Sequence, residues 1–532
     1  MEHHRQGGAA DDIARARDQQ LGDLLRRSAA RHPDKLALVF RDQRDTFSAL
    51  NMVVNRTANA LSALGIRKGE RIALLSRNSR AFVILRFALA RIGAVVAPVN
   101  FMLNAEDVAY ILEHSGARGL ICQDSLCPLA EAALEYLAEG PDILLSIRHT
   151  GDAVSDRWRP VEALYEHPDS SEPWVPMRAE DPSQMMYTSG TESRPKGAML
   201  PASALYAQYV TVICDGEMRS DAVELHCLPL FHCAQLDCFL TPDLYLGATS
   251  ILHDGADAIS MFEAIQAEKV TKLFCPPTVW ILLLRHPDFD KYDLSSLNQG
   301  YYGASIMPTA IIEELSRRLP NMRLYNFYGQ TEMAPCATVL RPEDQLTKLG
   351  SAGRPGLNVE TRVVDEDGAD LPVGEVGEIV HRSPHLILGY YHDPQKTSES
   401  FKGGWFHSGD LGRFDDEGYL YVVDRKKDMI KSGGENVASR EVEEAIFRHP
   451  KVAEVAVFGV AHPTWIEAVV AVVVAKSGHD LSGEEVIAYC RETLSHFKSP
   501  KHVAIREALP KNASGKILKR VLREEFTGLF EA

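Results

Sequence analysis

The 532-residue sequence has few of the features that mark membrane, secreted or nucleic-acid-binding proteins. No hydrophobic run approaches the ~20 residues that a membrane-spanning helix needs, and VVAVVVA at 469–475 is long enough only for a buried strand. The first 18 residues, MEHHRQGGAADDIARARD, lack the apolar segment of a secretory signal, so we expect a soluble, cytoplasmic protein. The net charge of −16 argues against a general nucleic-acid binder, which would need a basic face.

The sequence also lacks CxxC pairs. Its nine cysteines are scattered, and an odd number without a regular framework indicates reduced thiols. Cys227, Cys233 and Cys238 lie close to His226 and His232, which raises zinc binding as an alternative. Their irregular spacing in an apolar setting favours buried core cysteines instead.

The overall composition, 45% hydrophobic and 24% charged, is typical of a soluble globular protein. The length predicts two or more domains. LALVF (36–40) and RIALLS (71–76) read as buried strands, and FSALNMVVNRTANALSALG (47–65) reads as an amphipathic helix between them. Helices that alternate with short buried strands predict crossover units and mostly parallel sheets.

After residue 350 the pattern changes. Turn signals such as DEDG and PVGEVG separate alternating apolar residues, which predicts antiparallel hairpins. Charge and glycine then concentrate at 424–437, where a linker is expected, and a compact α+β tail follows. This tail carries eight basic residues between 498 and 523 against one acid, Glu507, which favours a polyanionic ligand over an ordinary solvated surface.

The loop YTSGTESRPKG (187–197) is rich in hydroxyl groups and glycine and carries Lys196. Such a loop can present hydroxyls, backbone amides and one point charge to an anion, although a solvated surface loop is the alternative. A P-loop NTPase is excluded by spacing, because Lys196 precedes Gly197 and no serine or threonine follows as a magnesium ligand.

Further motifs follow this loop in a defined order, and together they resemble the adenylate-forming superfamily, which includes acyl-CoA synthetases, aryl-CoA ligases, luciferases and peptide-synthetase adenylation domains. The resemblance spans about residues 20–525. The motifs are PLFHCAQ (229–235), YYGAS (301–305), YNFYGQTE (325–332), GEIVHRSPHLILGYY (377–391), WFHSGDLGRFDDEGYLYVVDRKKDMIKSGGENV (405–437) and PKNASGKILKR (510–520).

The resemblance implies an α/β fold with two domains. Residues 1–426 would form a large N-terminal domain of mixed, mostly parallel sheets with flanking helices and a small β-rich subdomain, which binds acid and ATP. Residues 427–532 would form a small, mobile α+β C-terminal domain that carries the adenylation lysine. The implied substrates and cofactors are a small-molecule carboxylic acid, ATP, Mg²⁺ and coenzyme A, and a homodimer is possible.

The same resemblance assigns roles to individual residues. The expected catalytic residues are Lys516, Thr331, Glu332 and Lys431, and Glu332 is the expected metal ligand. The residues expected to bind ATP or AMP are Thr188, Ser189, Gly190, Thr191, Lys196, Gly303, Ala304, Ser305, Asn326, Tyr328, Gly329, Thr331, Asp410, Arg425 and Lys516. The residues expected to form the CoA site and hinge are Lys427, Lys431, Gly433, Gly434 and Glu435.

The expected acyl-binding residues indicate a hydrophobic acid. They are His232, Cys233, Leu236, Gly303, Ala304 and Met333. Amino-acid-activating relatives carry an aspartate where His232 stands, and a buried, unpaired ammonium would cost several kcal/mol. Asp237 is a less favoured substitute for that aspartate. We therefore expect a medium- or long-chain fatty acid or a bulky natural-product acid, with aryl acids next.

The sequence departs from the family pattern in three places. Glu192 and Ser193 replace the usual Thr-Gly of the phosphate loop, Pro201 and Ala202 replace Thr-His, and Ala438 and Ser439 replace Tyr-Pro. A carboxylate beside a triphosphate is electrostatically unfavourable.

The leading interpretation is an ATP-dependent acid–CoA ligase. The alternatives are an enzyme of the same fold that passes the acyl group to a carrier protein, and a variant impaired in adenylation.

Overall fold

The computed structural model of the chain describes residues 13, 16–17, 19–188, 194–305, 307–432, 435–512 and 515–530. A π-helical turn at Leu236–Leu240 joins the seventh and eighth of its helices. The helices are α1 (Leu21–Arg31), α2 (Phe47–Ala63), α3 (Arg80–Arg91), α4 (Ala105–Ser115), α5 (Cys127–Leu134), α6 (Ala202–Asp215), α7 (Cys233–Gln235), α8 (Thr241–Leu246), α9 (Ala258–Glu268), α10 (Pro277–Arg285), α11 (Thr309–Arg318), α12 (Pro394–Ser400), α13 (Ser439–Phe447), α14 (Gly483–Thr493) and α15 (Lys519–Glu525).

Two large, mostly parallel sheets form the N-terminal part. The first has nine strands in the order β16-β15-β14-β13-β12-β10-β11-β1-β2. Its strands are β1 (Leu36–Phe40), β2 (Gln43–Thr46), β10 (Val223–His226), β11 (Thr249–Leu252), β12 (Lys272–Phe274), β13 (Gln299–Gly303), β14 (Arg323–Gly329), β15 (Cys336–Leu340) and β16 (Arg354–Pro355). The strands from β1 to β14 along this order pair in parallel, and β2, β15 and β16 pair antiparallel at the two edges.

The second large sheet has eight strands in the order β19-β9-β8-β4-β3-β5-β6-β7. Its strands are β3 (Arg71–Leu75), β4 (Val95–Val99), β5 (Gly119–Gln123), β6 (Ile143–Ile147), β7 (Arg159–Pro160), β8 (Pro182–Thr188), β9 (Lys196–Pro201) and β19 (Gly389–Tyr390). Strands β8 and β9 form an antiparallel hairpin whose connection is the glycine-rich loop, and Thr188 pairs with Lys196 across its base.

Two smaller sheets follow. The first is antiparallel and consists of β17 (Glu360–Val364), β18 (Gly377–Arg382), β20 (Phe401–Lys402), β21 (Trp405–Phe414) and β22 (Leu420–Arg425). The last sheet consists of β23 (Ile430–Ser432), β24 (Glu435–Val437), β25 (Val452–His462), β26 (Ile466–Ala475) and β27 (His502–Arg506). Strand β27 pairs in parallel with β26, and the other pairs of this sheet are antiparallel.

The structure confirms the predicted α/β class and its local elements. The predicted strands at 36–40 and 71–76 are β1 and β3, and the predicted helix at 47–65 is α2. The antiparallel hairpins expected after residue 350 are the sheet built on β21. Cys227, Cys233 and Cys238 are buried in hydrophobic clusters, as the core interpretation requires. None of the described helices combines the length and apolar composition needed to cross a membrane.

A fully buried ionic cluster links strands β10 and β12 of the first sheet to helix α8. Lys272 Nζ lies 2.7 Å from Glu224 Oε2 and 2.5 Å from Asp243 Oδ1, and all three side chains are inaccessible to solvent. Burial disfavours the charged lysine, but the two carboxylates outweigh it and raise the pKa of Lys272. The ammonium therefore occupies a position between carboxylates that would otherwise repel one another.

Replacing Lys272 with methionine should destabilise the fold strongly, because it leaves two buried carboxylates without their cation. We expect a loss of about 3–5 kcal/mol in the free energy of unfolding, measured by denaturant titration. The matched control is Lys269→Met, since Lys269 is 65% exposed and pairs with Asp293 at the surface. That change should cost less than about 1 kcal/mol. Equal losses in the two variants would contradict the importance assigned to the buried cluster.

Candidate active site

A cleft in the N-terminal part is lined by polar groups from β14, β21 and β22. Asp410 is 3% exposed and accepts a hydrogen bond of 2.7 Å from the Tyr328 hydroxyl. Its other oxygen lies 2.9 Å from Arg425 Nε, in the opposed position on β22. A pocket of about 320 Å³ adjoins this triad and is lined by Ser408, Gly409, Arg425, Lys426 and Lys427. The arrangement offers a carboxylate, a guanidinium and a flat ring to one ligand.

Close strand packing shapes the wall beside Tyr328. Gly303 ends β13, and a Cβ there would lie 2.3 Å from the carbonyl oxygen of Phe327 on β14, so the strands meet too closely for a side chain. Ala304 follows with φ 62° and is exposed to the cleft, together with Ser305. Asn326 donates to the Ser351 carbonyl at 3.2 Å, which ties β14 to the next loop.

The lysine from the C-terminal segment reaches this cleft. The Lys516 side chain is surrounded by protein groups but keeps access to solvent. Desolvation by those groups, followed by the charge of Arg425, lowers its pKa to about 8, against the opposing influence of Asp410. Burial and the neighbouring Lys516 charge lower the pKa of His232 to about 4. One cation is therefore within electrostatic reach of both the Asp410–Arg425 pair and His232.

A tight turn holds Lys516 in position. Asn512 Oδ1 accepts from the Lys516 backbone at 2.9 Å, and the Asn512 backbone donates to the Lys516 carbonyl at 2.9 Å. Gly515 has φ 78°, and a Cβ there would lie 2.5 Å from Thr278 Oγ1 at the start of α10. The turn therefore packs directly against the N-terminal part of the chain.

His232 lines a narrow pocket next to the cleft. Its Nδ1 accepts from the Ala234 backbone at 3.2 Å, so this nitrogen is unprotonated and the neutral ring carries its proton on Nε2. The pocket is lined by Leu228, Pro229, His232, Ala234, Gln235, Phe274, Pro276 and Ala304. Phe274 stacks on Phe239 with ring centroids 4.3 Å apart, which gives the pocket a rigid aromatic wall.

A third group of residues links Lys196, at the start of β9, to the segment that carries His232. Glu332 is buried and accepts a hydrogen bond of 2.8 Å from the Tyr390 hydroxyl. Lys196 Nζ lies 5.9 Å from the centre of the same tyrosine ring. Thr331 Oγ1 is 3.3 Å from Cys233 Sγ, so the Thr331–Glu332 segment contacts the histidine segment directly. Thr188 lies at the base of the loop opposite Lys196.

Of the predicted acyl-binding residues, His232 and Ala304 line the pocket, whereas Cys233, Leu236, Gly303 and Met333 do not. Leu236 lies on the π-helical turn and is fully buried in a core cluster that also contains Cys233. Met333 is fully buried against Ala337, Val359 and Phe406, on the side of the small antiparallel sheet. Both were expected at the pocket from their spacing in the motifs, but the chain bends between each of them and His232 or Thr331.

Asp237, the alternative partner for a substrate ammonium, is already occupied. It is fully buried, lies 3.1 Å from Arg86, and accepts hydrogen bonds of 2.7 Å from Gln184 and 3.1 Å from Tyr209. Its charge is therefore balanced within the protein, which argues against an amino-acid substrate.

Some predicted residues lie on another surface or outside the described residues. Lys427 is in the turn after β22 and is close enough to Lys516 for its charge to lower the pKa of Lys516. Lys431 and Glu435 are instead exposed on the β23–β24 hairpin, where the Lys431 backbone donates to Glu467 at 2.7 Å. Gly329, at the end of β14, packs against the Pro335 carbonyl. The predictions for Ser189, Gly190, Thr191, Glu192, Ser193, Gly433 and Gly434 fall outside the described part of the chain.

Sequence reasoning missed residues at strand ends. Phe274 ends β12, Pro276 lies just beyond it, and both line the pocket. Tyr390 contacts Glu332. In open α/β sheets, ligands bind at the carboxyl ends of parallel strands, so the segment FCPPT (274–278) carried a usable signal.

Comparisons with known proteins identify the family of the chain. The model of the AMP-binding enzyme family matches residues 25–391, and that of the AMP-binding enzyme C-terminal domain matches residues 441–516. A feruloyl-CoA synthase of Amycolatopsis sp is 37% identical over 96% of this chain and 100% of its own length. The long-chain-fatty-acid–CoA ligase FadD13 of Mycobacterium tuberculosis is 35% identical over 96% of this chain and 99% of its own.

A solved structure agrees over the same length. The crystal structure of the anthranilate CoA ligase AuaEII in complex with anthranoyl-AMP superposes with a TM-score of 0.89 at 26% identity, covering 98% of this chain and 100% of that one. The family match over most of the sequence, together with relatives aligned end to end, shows that the chain belongs to the AMP-binding enzyme family, the adenylate-forming superfamily that its motifs resemble.

Proposed function

We propose that the protein is an ATP-dependent acid–CoA ligase that forms an acyl-adenylate and then a CoA thioester. The observation that carries the proposal is the packing of the Gly515–Lys516 turn against Thr278, which brings the Lys516 charge within electrostatic reach of the Asp410–Arg425 pair and of His232. The names of the relatives support the same activity, since they are ligases that join aromatic or fatty acids to CoA.

In the first half-reaction a carboxylate oxygen of the acid bonds to the α-phosphorus of ATP, the bond from that phosphorus to the bridging oxygen breaks, and pyrophosphate leaves. In the second, the CoA sulfur bonds to the acyl carbon, its proton is lost, and AMP leaves. The two groups that react first are both anions. Catalysis therefore depends on cations and donors placed around the reacting oxygens. Lys516 bridges the carboxylate and the α-phosphate, and Thr331 donates to the α-phosphate. Asp410 accepts from the ribose hydroxyls, Arg425 donates to the same sugar, and Tyr328 stacks on adenine. Neutral His232 can donate its Nε2 proton to the acid without adding a second cation beside Lys516.

Mg²⁺ is the metal that this chemistry requires, and Glu332 fits it. The carboxylate is buried, and the Tyr390 hydroxyl hydrogen-bonds to Oε1, so Oε2 can face a hard cation. Bound there, Mg²⁺ would neutralise phosphate charge. Lys196 beside Tyr390 and the hydroxyl groups at 188–191 would then hold the remaining phosphate oxygens.

The acid is proposed to be a compact hydrophobic one, with an aromatic or branched body. Most of the residues that line the pocket are apolar, and Phe274 is held rigidly by stacking on Phe239. The amide of Gln235 is already engaged, since Nε2 lies 2.8 Å from His226 Nδ1 and Oε1 accepts from the Leu228 backbone. The pocket therefore offers a substrate tail few free polar partners among the described residues.

We propose a domain boundary at residues 426 and 427, with Lys427 as the hinge. Lys516 is in the cleft while the hairpin bearing Lys431 and Glu435 is exposed, so the structure has the pose suited to adenylation. Rotation about Lys427 would move the Lys516 turn out of the cleft and bring the hairpin that carries Lys431 and Glu435 to the acyl-adenylate for transfer to CoA.

Lys516→Ala should abolish acyl-adenylate formation because it removes the bridging cation. Transfer from a supplied acyl-adenylate to CoA should remain, because that step uses the other face of the domain. The two rates are measured separately, by ATP–pyrophosphate exchange and by thioester formation. Lys511→Ala is the control, since Lys511 is in the same segment but pairs with Glu454 at 2.7 Å. An equal loss of both half-reactions would contradict the assignment of the two steps to different surfaces of the C-terminal domain.

The rate of adenylation should depend on pH through Lys516. Its pKa of about 8 means that the cation predominates below pH 8 and is lost as the pH rises above it. The kcat/KM for ATP should therefore fall above about pH 8. In Lys516→Arg the remaining activity should lose this decline, since arginine stays charged across the range. A decline that is identical in both proteins would assign the titration to another group.

Ala304→Trp should select against larger acids, because Ala304 lines the pocket beside the rigid Phe274 wall. Each excluded methylene is worth only ~0.8 kcal/mol, so kcat/KM should fall progressively along a homologous acid series. The shortest acid serves as the internal control. If every acid loses the same factor, Ala304 does not contact the acyl group.

A further inference from the structure

Helix α13 presents one face to the N-terminal part of the chain. Val442 and Ile446 pack in the core of the last sheet. Arg440, Glu444 and Phe447 are spaced by four and three residues, so they lie together on another side of the helix. We call these three residues the docking face.

Each residue of the docking face contacts a partner that precedes the proposed hinge. Arg440 donates through Nη1 to the Val422 carbonyl and through Nη2 to the Gly350 carbonyl, the latter at 3.0 Å. The Thr309 hydroxyl at the start of α11 donates to Glu444 Oε1 at 2.8 Å.

The third residue, Phe447, packs at the hydrophobic cluster built on Leu273, Tyr301 and Ile311, which lies in the first large sheet and its helices. Polar and apolar contacts therefore act together on one side of the helix. All of them join the C-terminal segment to the N-terminal part.

Side-chain contacts connect this helix to the segment that carries Lys516. Lys519 Nζ donates to Ser439 Oγ at 2.7 Å and lies 2.8 Å from Glu443 Oε1, both on α13. Arg523 on α15 pairs with Asp428 at 2.6 Å, just after Lys427. Helix α13, α15 and the lysine turn are thus connected on the same side of the hinge. Contacts that orient α13 therefore also orient the segment that carries Lys516.

We propose that Arg440 and Glu444 are positioning residues that hold the C-terminal domain in the adenylation pose. The proposal rests on the proposed function and its domain rotation. Val422, Gly350 and Thr309 all precede Lys427, so a rotation there breaks every contact of the docking face. These contacts therefore stabilise the pose with Lys516 in the cleft relative to the pose that serves CoA, although none of them touches a substrate.

The test compares Arg440→Met and Thr309→Val with wild type in the two half-reactions. Removing hydrogen bonds of a charged group should slow acyl-adenylate formation by about tenfold. Thioester formation from a supplied acyl-adenylate should be unchanged or faster. Thr309→Val changes the opposite side of the contact and should act in the same direction. The controls are Arg491→Met and Glu441→Gln; Arg491 is exposed on α14, and Glu441 pairs with Lys498 within the C-terminal segment.

Thermal melting of each variant separates positioning from general damage. A loss in both half-reactions accompanied by a lower melting temperature would overturn the proposal, and so would full adenylation activity in Arg440→Met. A pose measurement that needs no turnover keeps this test independent of the proposed function. In Arg440→Met, hydrogen exchange should rise at 309–312 and 349–351, and unchanged exchange there would also overturn the proposal. Failure of wild type to form any acyl-adenylate would instead count against the proposed function.

Discussion

The active-site cleft depends on a close contact between distant parts of the chain, the packing of the Gly515–Lys516 turn against α10. Gly515 has φ 78° and lies where any Cβ would clash with the Thr278 hydroxyl, so the turn can approach only because this residue is glycine. That approach brings Lys516 within electrostatic reach of the Asp410–Arg425 pair and His232, where desolvation lowers its pKa. A cation that is close to titrating and still open to solvent can meet an entering anion without first breaking a strong ion pair.

Much of the fold and part of the site could be predicted from sequence, because their signals are local. Strand β1 and helix α2 follow from short apolar patterns. The Asp410–Arg425–Tyr328 cluster comes from motifs: Asp410 and Arg425 oppose one another on paired strands, and the Tyr328 hydroxyl joins them by a hydrogen bond to Asp410. His232 and Ala304 were expected near the acid, and both line the pocket. In each case the chain order of the motifs carried the information.

Sequence patterns could not place residues whose contacts depend on the path of the chain between motifs. Leu236 and Met333 lie only four and two residues from His232 and Thr331, yet the helical turns at those points direct them into separate cores. The charge of the tail was also misleading. Lys498, Lys511 and Lys519 are balanced by acids at 441, 454 and 443, which lie outside the basic segment but adjacent to it in space. Counting charges along the sequence cannot reveal such pairing.

The docking face of α13 also bears on how such enzymes can be recombined. A C-terminal segment taken from a relative would bring its own lysine turn, but it would meet the carbonyls of Val422 and Gly350 and the hydroxyl of Thr309 on this chain. Only a relative whose equivalent helix carries a cation and a hydrogen-bond acceptor one turn apart would make the same hydrogen bonds. The compatibility of exchanged halves is therefore decided by a helix surface far from the chemistry, and two halves that are each well folded can still form a poorly aligned pair.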